Sequence, residues 1–275
     1  DEQEAFDIEY WLLEEAKLQR MPKPKALAGK VGFISGGAGG IGRAAATRLM
    51  REGACVVLAD IDKGSLDEAV NELSDTFGAD VVRGVVCDAT DETSVISAVS
   101  HCGFEFGGLD IVVCNAGIAS AAPLDETSLD MWNHNMDILA TGYFLTAREA
   151  FKTLKAQGTG GSMVMIASKN ALVASPNAAA YCTAKAAEIQ LSRAVALEGA
   201  PIGVRSNVVN PDAVLRGSGI WSGRWREERA AAYQMDQGEL GEHYRMRSLL
   251  KREVLPEDIA EAIYFFASDA SGKST

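Results

Sequence analysis

Basic side chains are scarce in this sequence. Its 26 Lys and Arg stand against 38 Asp and Glu, a net charge of −12, which is a poor electrostatic match to a phosphate backbone and argues against a nucleic-acid partner. Long hydrophobic runs are missing as well. Although 47% of the 275 residues are hydrophobic, no eighteen of them run together, so no membrane span is expected while a large core is. The five cysteines, Cys55, Cys87, Cys102, Cys114 and Cys182, are odd in number, scattered and free of any Cys-x-x-Cys pair. Neither a disulfide framework nor a metal site is indicated, and a reducing cytoplasm is the expected location. The basic, apolar and small-residue succession of a signal peptide is also lacking. The first residue is Asp1 in place of Met, which reads as a piece of something longer.

Short apolar runs are what the sequence has instead. Val31 to Ser35, Cys55 to Asp60, Val81 to Cys87, Leu109 to Asn115, Met163 to Ser168 and Val204 to Val209 recur with helical patterns between them. They show little period-two alternation, so both faces are expected to be buried, as in parallel strands covered by helices on each side. The expectation is a single α/β domain, residues 28–275, built as a doubly wound parallel sheet of Rossmann type with right-handed crossovers. Ser65 with Glu68 has capping-box spacing, and Pro256 before Glu257 and Asp258 suits a first helical turn. Residues 1–27, acidic and aromatic and closing on Met21-Pro22-Lys23-Pro24, read as an N-terminal arm or interdomain remnant. From Pro211 to Leu255 the strand pattern lapses into a stretch carrying Trp221, Arg224, Trp225, Arg226 and Arg229. A helical substrate lid is one reading of it and a solvated helical excursion the other. No closing strand follows the last helix.

The first strand runs into Gly36-Gly37-Ala38-Gly39-Gly40-Ile41-Gly42 and then into a helix. Such a loop permits a tight turn and close backbone approach, and the new helix offers unpaired N–H groups to a pyrophosphate. Asp60, at the end of the second strand, is placed to accept hydrogen bonds from an adenosine ribose and would repel a 2′-phosphate, which favours NAD as cofactor. The plainer reading of Asp60 is a cap on the next turn.

With these residues the sequence resembles the classical short-chain dehydrogenase/reductase family over roughly residues 28 to 272. The family's Thr-Gly-x-x-x-Gly-x-Gly loop matches Ser35 to Gly42, its adenine-contacting Asp matches Asp88, and its Asn-Ala-Gly matches Asn115-Ala116-Gly117. Asp88 and Asn115 could equally just terminate strands. The strongest match is Ser168, then twelve residues, Tyr181, three residues, Lys185. A helix sets Tyr181 and Lys185 on one face, and Ser168 at a strand end can approach them. The resemblance implies Ser168, Tyr181 and Lys185 as catalytic residues. Tyr181 is then the acid/base, favoured as phenolate by a nearby ammonium and oxidised nicotinamide, and Ser168 holds the substrate oxygen. The cofactor residues implied are Gly36, Gly40, Ile41, Gly42, Asp60, Asp88, Asn115, Gly117, Tyr181, Lys185 and Pro211, with Asp212 in place of the Gly that usually follows that proline.

A narrower likeness rests on Glu4 to Trp11, Ala167-Ser168-Lys169-Asn170-Ala171 and Asn210-Pro211-Asp212-Ala213-Val214. These look like the dehydrogenase half of bifunctional rhamnulose-1-phosphate aldolase/alcohol dehydrogenases. That implies a fused aldolase domain, a role in rhamnose catabolism and a substrate such as lactaldehyde or another small hydroxy-carbonyl. The family resemblance also implies a homodimer or homotetramer packed through the helices carrying Leu139 and Tyr181. One position departs. The family's Asn in a Trp-x6-Asn-x-x-Gly setting aligns, through Trp132 and Gly142, with Leu139, and Leu cannot hold a relay water. Asn135 lies one turn earlier. The alternative function is therefore a catalytically weakened NAD-binding structural or sensing domain.

Overall fold

The computed structural model describes residues 1–222 and 224–275. Its single sheet contains β1 Val31–Ser35, β2 Cys55–Asp60, β3 Val82–Val86, β4 Ile111–Cys114, β5 Gly161–Ile166 and β6 Val204–Val209. All pairings are parallel, in the order β3-β2-β1-β4-β5-β6. Every residue of β1 and β4 is buried, as the unbroken apolar runs require, and β2 and β5 are open only at their ends. The edge strand β3 differs, with Gly84 and Val86 exposed, because helices cover the sheet's margin less completely. The strand order reverses between β1 and β4, which opens a crevice at their carboxyl ends.

Helices pack on both faces, and successive strand residues enter opposite layers. On one face Ile34, Val56, Leu58 and Val113 pack with Leu49 of α2 (Gly40–Arg51), Leu66 and Leu73 of α3 (Lys63–Phe77) and Ile263. On the other, Phe33, Val57, Val112 and Met163 meet Val99 of α4 (Glu92–Phe106), Tyr143 and Leu154, and Val195. Each fully buried side chain of this size contributes roughly 1.5–3 kcal/mol. The remaining elements are α1 Glu2–Arg20, α5 Leu129–Asn135, α6 Gly142–Gln157, α7 Ala179–Gly199, α8 Arg224–Ala232, α9 Leu240–Arg247 and α10 Pro256–Ala267.

Local signals mostly fall where the sequence puts them. Pro256 opens α10, and the Asp258 carboxylate accepts from the Leu255 N–H at 2.8 Å. The Ser65–Glu68 capping box is not formed. Asp62 caps α3 instead, its Oδ1 accepting from the Ser65 N–H at 2.8 Å, so the helix starts one turn sooner. The N-terminal arm is a helix, α1, without a buried residue, whereas Leu27 is already part of the core. Past α10, Asn207 donates to the Ser274 carbonyl at 3.0 Å and the Ser206 N–H to Thr275 Oγ1 at 3.3 Å, so the last residues lie along the outer edge of β6. Among the described residues the sheet has no seventh strand, and no helix is long and apolar enough to cross a membrane.

Candidate active site

At the end of β1 the chain turns through Gly36, whose φ of +61° suits glycine. A Cβ there would lie 2.7 Å from Ala116 Cα, one on Gly40 would lie 2.7 Å from the Gly217 carbonyl, and one on Gly42 would collide with the Gly36 carbonyl. At these three positions the loop is thus a cradle of backbone with no room for side chains, and the first-turn amides of α2 beyond it have no intrahelical acceptors. This fits a dinucleotide pyrophosphate. The Gly40 N–H meets the Gly217 carbonyl at 2.9 Å, so the segment following Pro211 reaches over the same helix end.

Asp60 adjoins the cradle. Its Oδ2 accepts from the Ala38 N–H at 3.0 Å and its Oδ1 from the Asp62 N–H at 3.1 Å, so it does cap a turn while keeping a carboxylate beside the loop. Arg43, absent from the sequence reading, is a cation bonded to the same loop. Its guanidinium is held by the Ala38 carbonyl (2.8 Å), the Ser65 carbonyl (3.0 Å) and Glu72 (3.2 Å). Asn115 ties β4 to the loop by donating to the Gly36 carbonyl at 2.9 Å. Asp88 braces its own turn, with Oδ1 accepting from the Thr90 N–H and hydroxyl.

Ser168, Tyr181 and Lys185 line one cavity with Ile41, Asn115, Gly117 and Pro211. Ser168 stands just past β5, its Oγ accepting from the Asn170 N–H at 3.1 Å. Tyr181 and Lys185 lie in the first two turns of α7. Burial pushes the Tyr181 phenol well above its ordinary value, the Ser168 hydroxyl bonded to it pulls the other way, and Glu188 pushes it up further. Lys185 Nζ donates to the Ile166 carbonyl at 2.9 Å, to Glu188 Oε2 at 3.1 Å and to the Tyr143 hydroxyl at 3.4 Å. The ammonium expected to favour phenolate is therefore met by a carboxylate that sequence reading missed. Only its position three residues beyond Lys185, on the same helical face, could have signalled it.

Leu139 is fully buried in a π-helical turn, Met136–Thr141, joining α5 to α6. Such turns recur at functional sites. Its Cδ2 lies 3.4 Å from where a Cβ on Gly117 would be, and Lys185 Nζ 3.9 Å from that same point. One turn earlier, Asn135 Nδ2 donates to Ser120 Oγ at 2.6 Å and to the Met131 carbonyl at 2.8 Å, while its buried Oδ1 has no partner among the described residues.

Between Pro211 and Leu255 the described residues form a short helical turn at Gly219–Ser222, α8 and α9, joined by loops. Trp221, Trp225, Arg229 and Tyr244 line the cavity. The Trp225 ring stands 5.5 Å from that of Tyr181. Arg229 is buried, donates to the Pro176 carbonyl at 2.7 Å and lies 4.8 Å over the Trp225 ring. The Arg224 side chain lies outside the described residues.

Known proteins resemble this chain in sequence and in fold. The family model described as enoyl-(acyl carrier protein) reductase matches residues 36–275. An uncharacterized oxidoreductase, YuxG, of Bacillus subtilis is 50% identical over 274 residues, which is 100% of this chain and 40% of that protein. This chain thus spans two fifths of that relative's length. A D-threitol dehydrogenase of Mycolicibacterium smegmatis is 33% identical over 89% of this chain and 88% of its own. The crystal structure of sorbitol-6-phosphate 2-dehydrogenase SrlD from Erwinia amylovora superposes with a TM-score of 0.83 at 27% identity, covering 89% of this chain and 94% of that one. With the six-stranded sheet, the glycine cradle and the Ser-Tyr-Lys cavity, these matches establish that the chain belongs to the short-chain dehydrogenase/reductase family, nicotinamide-dependent oxidoreductases of alcohols and carbonyls.

Proposed function

We propose that the chain is an active NAD-dependent dehydrogenase/reductase that interconverts a small hydroxy-carbonyl such as lactaldehyde with its alcohol or oxidised partner. The observation that carries this is the meeting of Ser168, Tyr181 and Lys185 in one cavity next to the glycine cradle. The bound cofactor would supply the hydride chemistry. The chain's own residues do the rest. Ser168 holds the substrate oxygen, Tyr181 takes or gives its proton, and Trp221 and Trp225 keep water from the reacting carbon. NAD is favoured over NADP by Asp60, which sets a negative charge beside the loop, while the nearby Arg43 is committed to two carbonyls and two glutamates, Glu68 and Glu72.

Small polar substrates suit a wall of tryptophans with one buried guanidinium, and relatives named for threitol and sorbitol phosphate point to the same polyhydroxy chemistry. A fused aldolase domain is proposed on the narrower sequence likeness alone; the Bacillus relative extends beyond this chain, which matches 40% of it. The decisive experiment is NADH and NADPH formation against small diols, hydroxy-aldehydes and tetritols. We expect NADH formation with at least one of them, and Tyr181→Phe should abolish turnover while retaining cofactor binding. Comparable rates with both cofactors would overturn the NAD assignment. A near-normal Phe variant would overturn the role of Tyr181. The second reading, a cofactor-binding module with weakened chemistry, draws on the buried Leu139, and intact NAD binding without turnover on the whole panel would favour it.

A further inference from the structure

Lys185 and Glu188 are sealed from solvent, their side chains 6% and 0% exposed. Nζ is 2.9 Å from Oε1 and 3.1 Å from Oε2, with hydrogen-bond geometry met at Oε2, so Oε1 has no other donor among the described residues. The spacing of three on α7 makes the pairing a property of the helix. Desolvating two charges costs several kcal/mol per ion, and apolar replacements of such pairs are often as stable or more so, so stability alone is a poor reason for a carboxylate here. The position that would bear a relay amide is Leu139, and Asn135, one turn earlier, spends its Nδ2 on Ser120 and Met131 while its buried Oδ1 has no partner among the described residues.

We propose that Glu188 is the proton-accepting partner of Lys185, a carboxylate on α7 serving where the side chain at position 139 cannot. The proposal rests on the reading that this cavity runs alcohol/carbonyl chemistry. During alcohol oxidation the substrate's O–H proton goes to Tyr181 and must leave the phenol before the next turnover. Lys185 passes one N–H proton to Glu188 and takes up the one arriving from the Tyr181 side. The lysine ends with the charge it began with, the carboxylate ends as a carboxylic acid, and, since Glu188 is sealed, its proton returns through Lys185 and Tyr181, which line the cavity, to water once product has left, restoring the carboxylate for the next turnover. Carbonyl reduction runs the same transfer backwards.

The groups facing Glu188 are Lys185 and Tyr181 from its own helix, Tyr143 from α6 and Cys114 from β4. Lys185 is the cation among them. Burial pushes the Glu188 carboxyl up to about 8 and Lys185 draws it down only in part, which suits a group that loads and unloads a proton near neutrality.

The test begins without cofactor. Infrared titration of the protein, with its glutamate carboxyls isotopically labelled, should show a carboxylic-acid band growing as pH falls through about 8, and Glu188→Gln should lack it. If no glutamate titrates there in the parent protein, the proposal is overturned whatever the variants do. In alcohol oxidation Glu188→Gln, which keeps the shape but cannot take the proton, should lower kcat on the order of 10²-fold and flatten its pH profile, with cofactor KM unchanged. Glu188→Leu combined with Leu139→Asn should recover rate that Glu188→Leu alone lacks. A parent enzyme that turns over and a Gln variant that keeps its kcat–pH curve would overturn the relay alone. A parent without turnover on any alcohol would overturn the relay together with the reading beneath it.

Discussion

Lys185 shows how one buried neighbour changes what a familiar residue can do. Its protons go to a strand carbonyl, a tyrosine hydroxyl and Glu188, so all three of its donors are engaged inside the protein. This has a consequence for stability that needs no substrate. Folded, Glu188 keeps its proton up to about 8, against an ordinary 4.5, because burial disfavours the carboxylate more than Lys185 favours it. Between those values the folded chain binds a proton the unfolded chain has lost. The stability tied to Glu188 is therefore whole below 4.5 and declines as pH rises toward 8. Glu188→Gln removes the titrating group, so its Tm relative to the parent should climb across that interval. A Tm difference that is flat with pH would show that Glu188 titrates alike in both states. Leu139→Asn alone should cost roughly 1–3 kcal/mol, since it buries an amide where Lys185 already has its partners, and urea unfolding would measure that.

At the level of elements, strands were legible as unbroken apolar runs: three became β1, β2 and β6 to the residue, β3 came within one residue at each end, and β4 and β5 differed by up to two residues at an end. The first cap of α3 was missed for a local reason, since Asp62 and Ser65 both suit capping and only the geometry of the Ser65 N–H decides between them. Ser168, Tyr181 and Lys185 were readable from spacing, whereas Glu188 was not, because a single acidic residue on a helix reads as a solvated one until burial is known. The lid was legible as a lapse in pattern. Its structure adds that Gly217 reaches the N-terminus of α2 while Trp225 stands over Tyr181, so one segment adjoins both the phosphate cradle and the reacting centre. Trp225→Ala should therefore raise KM and lower kcat/KM for small substrates by more than tenfold, an effect of about 1.4 kcal/mol or more at the transition state, with NAD affinity retained. Trp225→Phe should fall between. Equal kcat/KM values in all three proteins would leave the lid without a role in specificity.

For the whole molecule, the helices implied as an assembly surface are α6 and α7, which lie side by side over β4, β5 and β6. They carry Phe144, 45% exposed, and Leu197, 79% exposed, while Leu129, at the start of α5 just before them, is 72% exposed. Apolar surface of this kind contributes about 25 cal/mol per Å² when covered, and a stable interface needs roughly 1,200–2,000 Å² in total, which two long helices meeting their own copies can supply. The net charge of −12 works against bringing copies together, more so at low salt where repulsion is least screened. The protein should thus form a homodimer or homotetramer whose assembly strengthens as salt is added. Phe144→Glu combined with Leu197→Glu should leave the fold intact, since both side chains already meet solvent, and yield a monomer by light scattering. A parent protein that is monomeric at micromolar concentration in moderate salt, or a double variant that keeps the parent's mass, would move the assembly surface elsewhere.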